Sequence, residues 1–191
     1  LKNLFKKNGN INLEDIKDAF SVDKLNKEFF NGYKEHYESL CNFFYSPLLK
    51  NKFIKGEDKL VRDFVKKFLG RIVFLYFVQK KGWLGVKKGE NWGKGNPLFL
   101  SNLFKSYKSK GQFYNKVISK IFFEYLSIDR ENDLVTLFDD IEYRIPYLNG
   151  GLFEKEDVDE YEINLEESYL DSLFSFFDRF NFTIYEDDPN E

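Results

Sequence analysis

Apolar residues recur along most of this chain at intervals of three and four positions, the repeat that places side chains on one face of an α-helix. The repeat runs through residues 25–44, 61–76, 113–125 and 169–177. We therefore predict four amphipathic helices in these stretches. A shorter helix is predicted from Leu13 to Phe20.

Residues that commonly begin or end helices agree with this pattern. Asn96 stands before Pro97, a pair typical of an N-cap followed by the first helical residue. Asn164, with Glu167 three positions later, predicts a capping box at the start of the last helix. Gly82 predicts the end of the second helix, because glycine tolerates the left-handed conformation that closes many helices.

The alternation of apolar and polar residues that indicates a β-strand is found at Phe180, Phe182 and Ile184. We therefore expect a mainly α fold, an irregular multi-helix bundle with a loop-rich C-terminal part. Residues 1–144 would form a helical, basic bundle region. Residues 145–191 would hold a turn, an acidic loop and the final helix.

The stretch IPYLNGGLFE, residues 145–154, interrupts the helical pattern with a proline and an Asn-Gly-Gly sequence. Glycine, followed by asparagine, enters the φ > 0 region at the least steric cost, so this sequence predicts a turn with positive φ values. The predicted structural turn consists of Pro146, Asn149, Gly150 and Gly151. Its buried anchors are expected to be Tyr147, Leu152 and Phe153.

Charge is distributed unequally along the chain, although the formal net charge is only -3. Residues 1–120 contain 25 Lys+Arg against 11 Asp+Glu, whereas residues 121–191 contain 4 against 21. From residue 80 to 120, ten lysines accompany a single acidic residue, Glu90. Such a run is typical of a surface that binds nucleic-acid phosphates, and a solvated lysine face would show the same composition. The candidate DNA-binding residues are Lys80, Lys81, Lys87, Lys88, Lys105, Lys108 and Lys110.

Residue combinations that carry catalysis are missing from the sequence. His36 is the only histidine, which excludes a multi-histidine metal site and favours a packing or surface role. The run Asn96-Pro97-Leu98-Phe99 resembles the N-P-P-Y/F loop of adenine methyltransferases but lacks its second proline. The acidic run from Glu154 to Glu162 lacks the spacing of a calcium loop, so we expect a solvated loop there. We predict no catalytic residue and no metal site in this chain.

The cysteine content and the apolar runs bear on the compartment. Cys41 is the only cysteine, and the N-terminus has no secretory signal pattern. The longest apolar run, residues 68–78, falls short of the roughly 18 residues of a membrane span. We expect a cytoplasmic protein with no membrane segment. Methionine is absent and the last residues form no closing element, so we expect both ends to continue in a longer protein.

Four stretches, taken in order, resemble one known protein family. They are AFSVDKLNKEFF (19–30), FLGRIVFLYFVQKKGWL (68–84), IPYLNGGLFE (145–154) and LFSFFDRFNF (173–182), the last followed by Thr183-Ile184. Together they resemble the helical connector region of type IIG restriction-modification enzymes, which join a nuclease and an adenine-specific DNA methyltransferase in one chain. The resemblance covers nearly the whole sequence.

The resemblance implies that this helical region follows a nuclease and precedes the methyltransferase core. Its implied partners are double-stranded DNA and these adjoining domains, and the cofactors implied for the parent enzyme are S-adenosylmethionine and Mg²⁺. The cofactor-binding motifs would follow Glu191, so we expect no cofactor in this fragment and no methylation or cleavage of DNA by it. Two alternatives stay open: the equivalent region of a phage-exclusion DNA methyltransferase, and a non-catalytic helical protein-interaction module.

Overall fold

The computed structural model describes residues 13–45, 58–107, 110–138, 140–148, 151–160 and 163–182. Most of them are helical, which confirms the mainly α fold. The α-helices are α1 (Leu13–Tyr45), α2 (Asp58–Lys80), α3 (Phe99–Ser106) and α4 (Glu167–Asp178). Single 3-10 turns lie at Lys110–Gln112, Gly151–Phe153 and Asp157–Glu160, and the last two make the C-terminal part loop-rich, as expected.

Residues 13–20 are helical, as predicted, but they form the first part of the continuous helix α1 and not a separate shorter helix. The residues that follow, Ser21 to Asp23, include neither glycine nor proline. Nothing in the backbone chemistry therefore ends the helix there.

Helix α2 carries the apolar repeat on its buried face. The apolar residues buried along it are Val61, Phe64, Val65, Phe68, Leu69, Ile72, Leu75, Tyr76 and Val78. The helix ends as the sequence predicts. Gly82 has a φ of +72°, its N–H donates to the carbonyl of Gln79 at 2.9 Å, and the N–H of Trp83 donates to that of Val78 at 3.0 Å. This pair of bonds is the Schellman motif, which satisfies carbonyls that the helix end leaves open.

Both predicted helix starts are wrong, since neither α3 nor α4 has a side-chain cap. The predicted N-cap at Asn96 is wrong, because α3 begins at Phe99 and its N-cap is Leu98, which makes no side-chain capping bond. The side chain of Asn96 instead accepts the N–H of Leu98 at 2.9 Å and closes a turn just ahead of the helix. The capping box at Asn164 is wrong, because α4 begins only at Glu167 and no side chain caps it. Asn164 instead accepts a hydrogen bond from the side chain of Asn115 at 3.2 Å.

The predicted helix over 113–125 is present but is mostly a π-helix, in two pieces, Tyr114–Ile118 and Ile121–Leu126. In the first piece the N–H of Ser119 donates to the carbonyl of Tyr114, five residues back. The hydroxyl of Ser119 donates to the carbonyl of Asn115 at 3.0 Å, four residues back. Ser127 makes the same hydroxyl bond to Phe123 at 2.7 Å. Two serine side chains thus supply the four-residue contacts that the wide turns do not make through the backbone.

A small antiparallel sheet joins the helices, and the apolar pattern did not predict it. Its strands are β1 (Val86–Lys87), β2 (Leu134–Thr136) and β3 (Glu142–Arg144), in the spatial order β1-β3-β2. Strands of two and three residues are too short to show an alternating pattern. The strand predicted at Phe180 and Phe182 is wrong, since neither residue is in a strand. Ile184, its third residue, lies outside the described residues.

One aromatic-rich core lies between the helices. Phe29 of α1 contacts the rings of Phe176, Phe177, Phe180 and Phe182 at centroid distances of 5.1 to 6.2 Å. Gly32 allows this approach, because a Cβ there would overlap the ring of Phe176. The core contains residues from both sides of position 144, and the division into 1–144 and 145–191 stays a prediction.

Candidate nucleic-acid interface

A glycine loop, residues 82–95, lies between α2 and α3 and contains three of the ten lysines of residues 80–120: Lys87, Lys88 and Lys94. The carbonyl of Gly82 accepts the N–H groups of both Gly93 and Gly95, at 3.0 and 2.9 Å. A Cβ at Gly82 would overlap the backbone of Gly93, so glycine is required at this crossing as well as for the positive φ. The two ends of the loop are therefore held together by backbone contacts.

Lys87 and Lys88 lie at the tip of a tight turn that β1 enters. The N–H of Glu90 donates to the carbonyl of Lys87 at 3.0 Å, and the carboxylate of Glu90 accepts the N–H of Lys87 at 3.1 Å. Lys88 continues the pairing with β3, since its N–H donates to the carbonyl of Glu142 at 3.0 Å. Both lysine side chains are exposed, and the ammonium of Lys88 forms an ion pair with Glu142 at 2.8 Å.

Arg144 of β3 holds the other side of the loop. Its Nε and Nη2 donate to Oδ2 of Asp133, at 3.0 and 2.6 Å, and its Nη1 donates to the carbonyl of Glu90 at 3.0 Å. The guanidinium also lies over the indole of Trp92, 4.2 Å from the ring centroid. This geometry is a cation–π contact, which fixes the orientation of both groups.

The other lysine candidates lie on different elements. Lys80 is half-buried at the end of α2, Lys81 is exposed at the entrance to the glycine loop, and Lys105 is exposed on α3. Lys110 opens a 3-10 turn, while Lys108 lies outside the described residues. The structure thus brings Lys87 and Lys88 into one turn, next to a stacked arginine and an exposed tryptophan that the sequence analysis did not single out.

The structure describes only part of the predicted turn at residues 145–154. Pro146 is half-buried, and Asn149 and Gly150 lie outside the described residues. The positive φ expected of Gly151 is wrong, because Gly151 opens the 3-10 turn Gly151–Phe153 and is absent from the positive-φ glycines among the described residues. Phe153 is buried against Phe74 and Phe122, as expected of an anchor, whereas Tyr147 is exposed.

A buried arginine holds this stretch in place. Arg71 of α2 is fully buried, and its Nε and Nη2 donate to the carbonyls of Leu152 and Glu154 at 2.8 and 3.0 Å. The same guanidinium meets both carboxylate oxygens of Asp159, at 2.8 and 3.0 Å. The acidic run is therefore not wholly a solvated loop, since Asp159 is buried as the partner of Arg71. An arginine in the middle of an apolar helical run was the sequence signal for such a pair.

A second polar network ties α4 to α2 and α3. The hydroxyl of Tyr76 donates to Asp178 Oδ1 at 3.0 Å, and that of Ser101 donates to Asp178 Oδ2 at 2.6 Å. Burial, aided by the charge of Asp178, raises the pKa of Tyr76, while its contact with Ser101 opposes that rise. Tyr76 therefore stays protonated and acts as a structural donor.

The lone histidine and the lone cysteine occupy packing positions. The ring of His36 lies 5.0 Å from that of Phe176 and 5.8 Å from that of Tyr169, measured between centroids. Burial lowers the pKa of His36, and the neighbouring Glu35 opposes this shift. Cys41 is buried, and burial raises the pKa of its thiol above the usual value. Both side chains therefore contribute to packing. Among the described helices, none combines the length and the apolar character needed to cross a membrane.

Comparison with curated proteins gives a distant relative. A protein of Methanocaldococcus jannaschii named "Putative type II restriction enzyme and methyltransferase" is 23% identical to this chain over 184 residues. The aligned region is 93% of this chain and 14% of the length of that protein. No protein-family model matches the chain, and no solved structure matches it. The similarity supports a relationship to restriction-modification proteins.

Proposed function

We propose that this chain is the helical connector region of a type IIG restriction-modification protein, where it joins the nuclease to the adenine-specific methyltransferase and contributes to binding duplex DNA. The observation that carries the proposal is the alignment of nearly the whole chain with a single segment of a much longer relative. Such an alignment is expected of an internal region rather than of a complete enzyme.

The charge distribution supports the DNA-binding part of the proposal. Lys81 is exposed at the entrance to the glycine loop, and Lys87, Lys88 and Lys94 are exposed within it. The one acidic residue between positions 80 and 120, Glu90, bonds to the backbone of its own turn. Lysines on a fixed loop meet phosphates with little loss of backbone freedom, so each phosphate contact releases counterions at a small entropic cost.

The alternative of a non-catalytic interaction module rests on the acidic side of the chain. Glu154, Asp157 and Glu160 are exposed beside the buried Arg71–Asp159 pair, and a basic protein could bind there. A phage-exclusion methyltransferase would use the same helical region, so that alternative differs in the parent protein and not in this chain.

Fluorescence polarisation with a labelled duplex across a salt series tests the proposal. We expect affinity for DNA to fall steeply as salt rises, because log K decreases by about 0.9 per log unit of salt for each phosphate contact. A loop variant changes four lysines to glutamine: Lys81, Lys87, Lys88 and Lys94. We expect this variant to bind less tightly and to show a smaller salt slope.

A control variant changes four exposed lysines of α1 and α2 to glutamine: Lys27, Lys34, Lys59 and Lys66. Each variant loses four positive charges, so both shift the formal net charge of -3 by the same amount. A larger loss of affinity in the loop variant supports the proposal. Equal losses of affinity in the two variants would mean that DNA is held by general electrostatic attraction and not by the loop. If the unmutated chain does not bind DNA at low salt, the interaction module is favoured.

A further inference from the structure

We propose that Trp92, held by Arg144, is a stacking platform for an unpaired nucleobase of DNA, with Lys87 and Lys88 positioned for the adjoining phosphates. This inference rests on the proposed DNA-binding function and adds to it a class of ligand, single-stranded or locally opened DNA. It also adds the residue that contacts the base.

The orientation of the platform is fixed from one side. Arg144 donates from Nε and both Nη groups to Asp133 and Glu90, and its guanidinium carbon lies over one face of the Trp92 indole. Neither side chain needs to lose much rotational freedom when a ligand binds, so more of the stacking free energy remains for affinity.

The indole of Trp92 is 38% exposed even with the arginine over it. Large aromatic side chains usually bury their apolar surface, and most aromatic side chains of α2 and α4 do so here. Trp83 is also exposed, at 43%, but it stands just after Gly82 in the Schellman motif, where an apolar residue commonly packs on the helix end. The fold gives no equivalent reason for the exposure of Trp92.

The charged neighbours select the partner. Lys87 and Trp92 belong to the same loop, and both are linked to Glu90: Lys87 through the turn, and Trp92 through Arg144. Lys88 forms an ion pair with Glu142, which lies on β3 two residues before Arg144. An exposed indole flanked by cations fits a nucleotide, whose base stacks on the ring while its phosphate meets an ammonium group.

The proposed ligand is an unpaired base because a paired base has no free face. Inside a duplex each base is already stacked on its neighbours, so an exposed indole gains nothing unless a base is displaced. Single strands offer π-faces without that cost, and stacking on an aromatic residue tolerates any base. The platform should therefore favour single strands over duplexes, whereas the lysines alone would not.

The chain contains two tryptophans, which makes the test direct. In the Trp83→Phe variant, Trp92 is the sole tryptophan, and we expect a single-stranded oligonucleotide of about 12 residues to quench its fluorescence saturably. In the Trp92→Phe variant the fluorescence comes from Trp83, and single strands should quench it only weakly. Polarisation should show that Trp92→Ala lowers single-strand affinity by about 5- to 150-fold, with duplex affinity changed far less.

Two further variants separate stacking from folding. Trp92→Phe retains an aromatic face and should keep most of the single-strand affinity, whereas Trp92→Leu retains apolar bulk and should lose it, at matched melting temperatures. Equal affinities of these two variants, or unchanged fluorescence of Trp92 on adding single strands, would overturn the platform. Duplex binding that persists in either case leaves the proposed function standing. Quenching by single strands with no duplex binding would instead support the platform and contradict the proposed duplex contact.

Discussion

Arg71 and Asp159 form an ion pair in the core, with Nη1–Oδ1 and Nη2–Oδ2 distances of 2.8 and 3.0 Å and side chains that are at most 1% exposed. The pair spans 88 positions of the sequence and fixes the acidic run against α2. Because the same guanidinium also binds the carbonyls of Leu152 and Glu154, one side chain organises most of the stretch 152–159.

Removing either partner should destabilise the protein strongly. Asp159→Asn or Arg71→Met leaves an uncompensated buried group, and we expect a loss of about 3 to 5 kcal/mol in the free energy of unfolding. Urea denaturation followed by circular dichroism measures this loss. The double variant Arg71→Met/Asp159→Leu leaves no charge buried. Its loss in the free energy of unfolding should therefore be smaller than the sum of the losses of Arg71→Met and Asp159→Asn.

The ion pair between Lys67 and Glu156 supplies a matched control, because it joins the same two segments at the surface, at 2.6 Å. Lys67→Gln should cost less than about 1 kcal/mol. Similar losses for Lys67→Gln and Arg71→Met would contradict the central role given to the buried pair.

Three glycines should respond differently to replacement by alanine. Gly70→Ala in α2 should stabilise by about 0.5 to 1 kcal/mol, since its Cβ would meet nothing and its φ is not positive. Gly89→Ala should cost about 1 to 2 kcal/mol from its φ of +85° alone. Gly82→Ala should cost more than Gly89→Ala, because a positive φ and a backbone overlap coincide there.

Thermal melting of the three alanine variants checks this order. A Gly82→Ala variant as stable as Gly89→Ala would show that the crossing of the loop ends is not a close one. A stable Gly82→Ala variant would also weaken the claim that the loop presents its lysines on a fixed backbone.

Stability should depend on pH through His36. Burial lowers its pKa below the ordinary 6.5, so the unfolded chain takes up the proton first as the pH falls. The free energy of unfolding should therefore be fully present above pH 6.5 and decrease as the pH falls through 6.5 towards the lowered pKa. His36→Phe keeps the ring contact with Phe176 and should flatten this part of the profile. An unchanged profile in that variant would assign the dependence to other groups.

The chain should not bind S-adenosylmethionine. Its Asn96-Pro97-Leu98-Phe99 sequence lacks the second proline of the N-P-P-Y/F loop and forms the turn that leads into α3, and the sequence contains no G-x-G-x-x-G motif. Isothermal titration calorimetry should give only heats of dilution, against a functional methyltransferase as positive control. Stoichiometric binding would place a cofactor site in this chain and refute the connector assignment.

The helices could be predicted because each buries one continuous face, and burial at intervals of three and four leaves a visible pattern. The repeat of Val61, Phe64 and Phe68 is buried in α2 as expected. The sheet could not be predicted, since its strands are only two or three residues long and Val86 of β1 pairs with Arg144, a residue that is distant in the sequence. The pattern also could not distinguish α from π winding over 113–126, because both bury the same apolar residues.

The candidate site was only partly visible in the sequence. The high lysine content of residues 80–120 was enough to predict Lys87 and Lys88 as candidates. The contact of Arg144 with Trp92 could not be predicted, because it depends on the pairing of β1 with β3. These two strands lie more than 50 residues apart in the sequence and carry no alternating pattern. The burial of Asp159 could not be predicted, because nothing in the sequence distinguishes a buried carboxylate from the exposed ones around it in the acidic run.

The π-helical segment has a consequence for the evolution of the chain's length. A bond that reaches five residues back encloses one more residue per turn than the α-helical bond, so a wide turn can lose a residue and close as an α-helix in the same place. Deletions of one residue should accordingly be better tolerated in 114–126 than in α2. Homologous chains would then differ by single-residue gaps at Ser119 or Ser127, where a hydroxyl already makes the four-residue contact of the shorter turn.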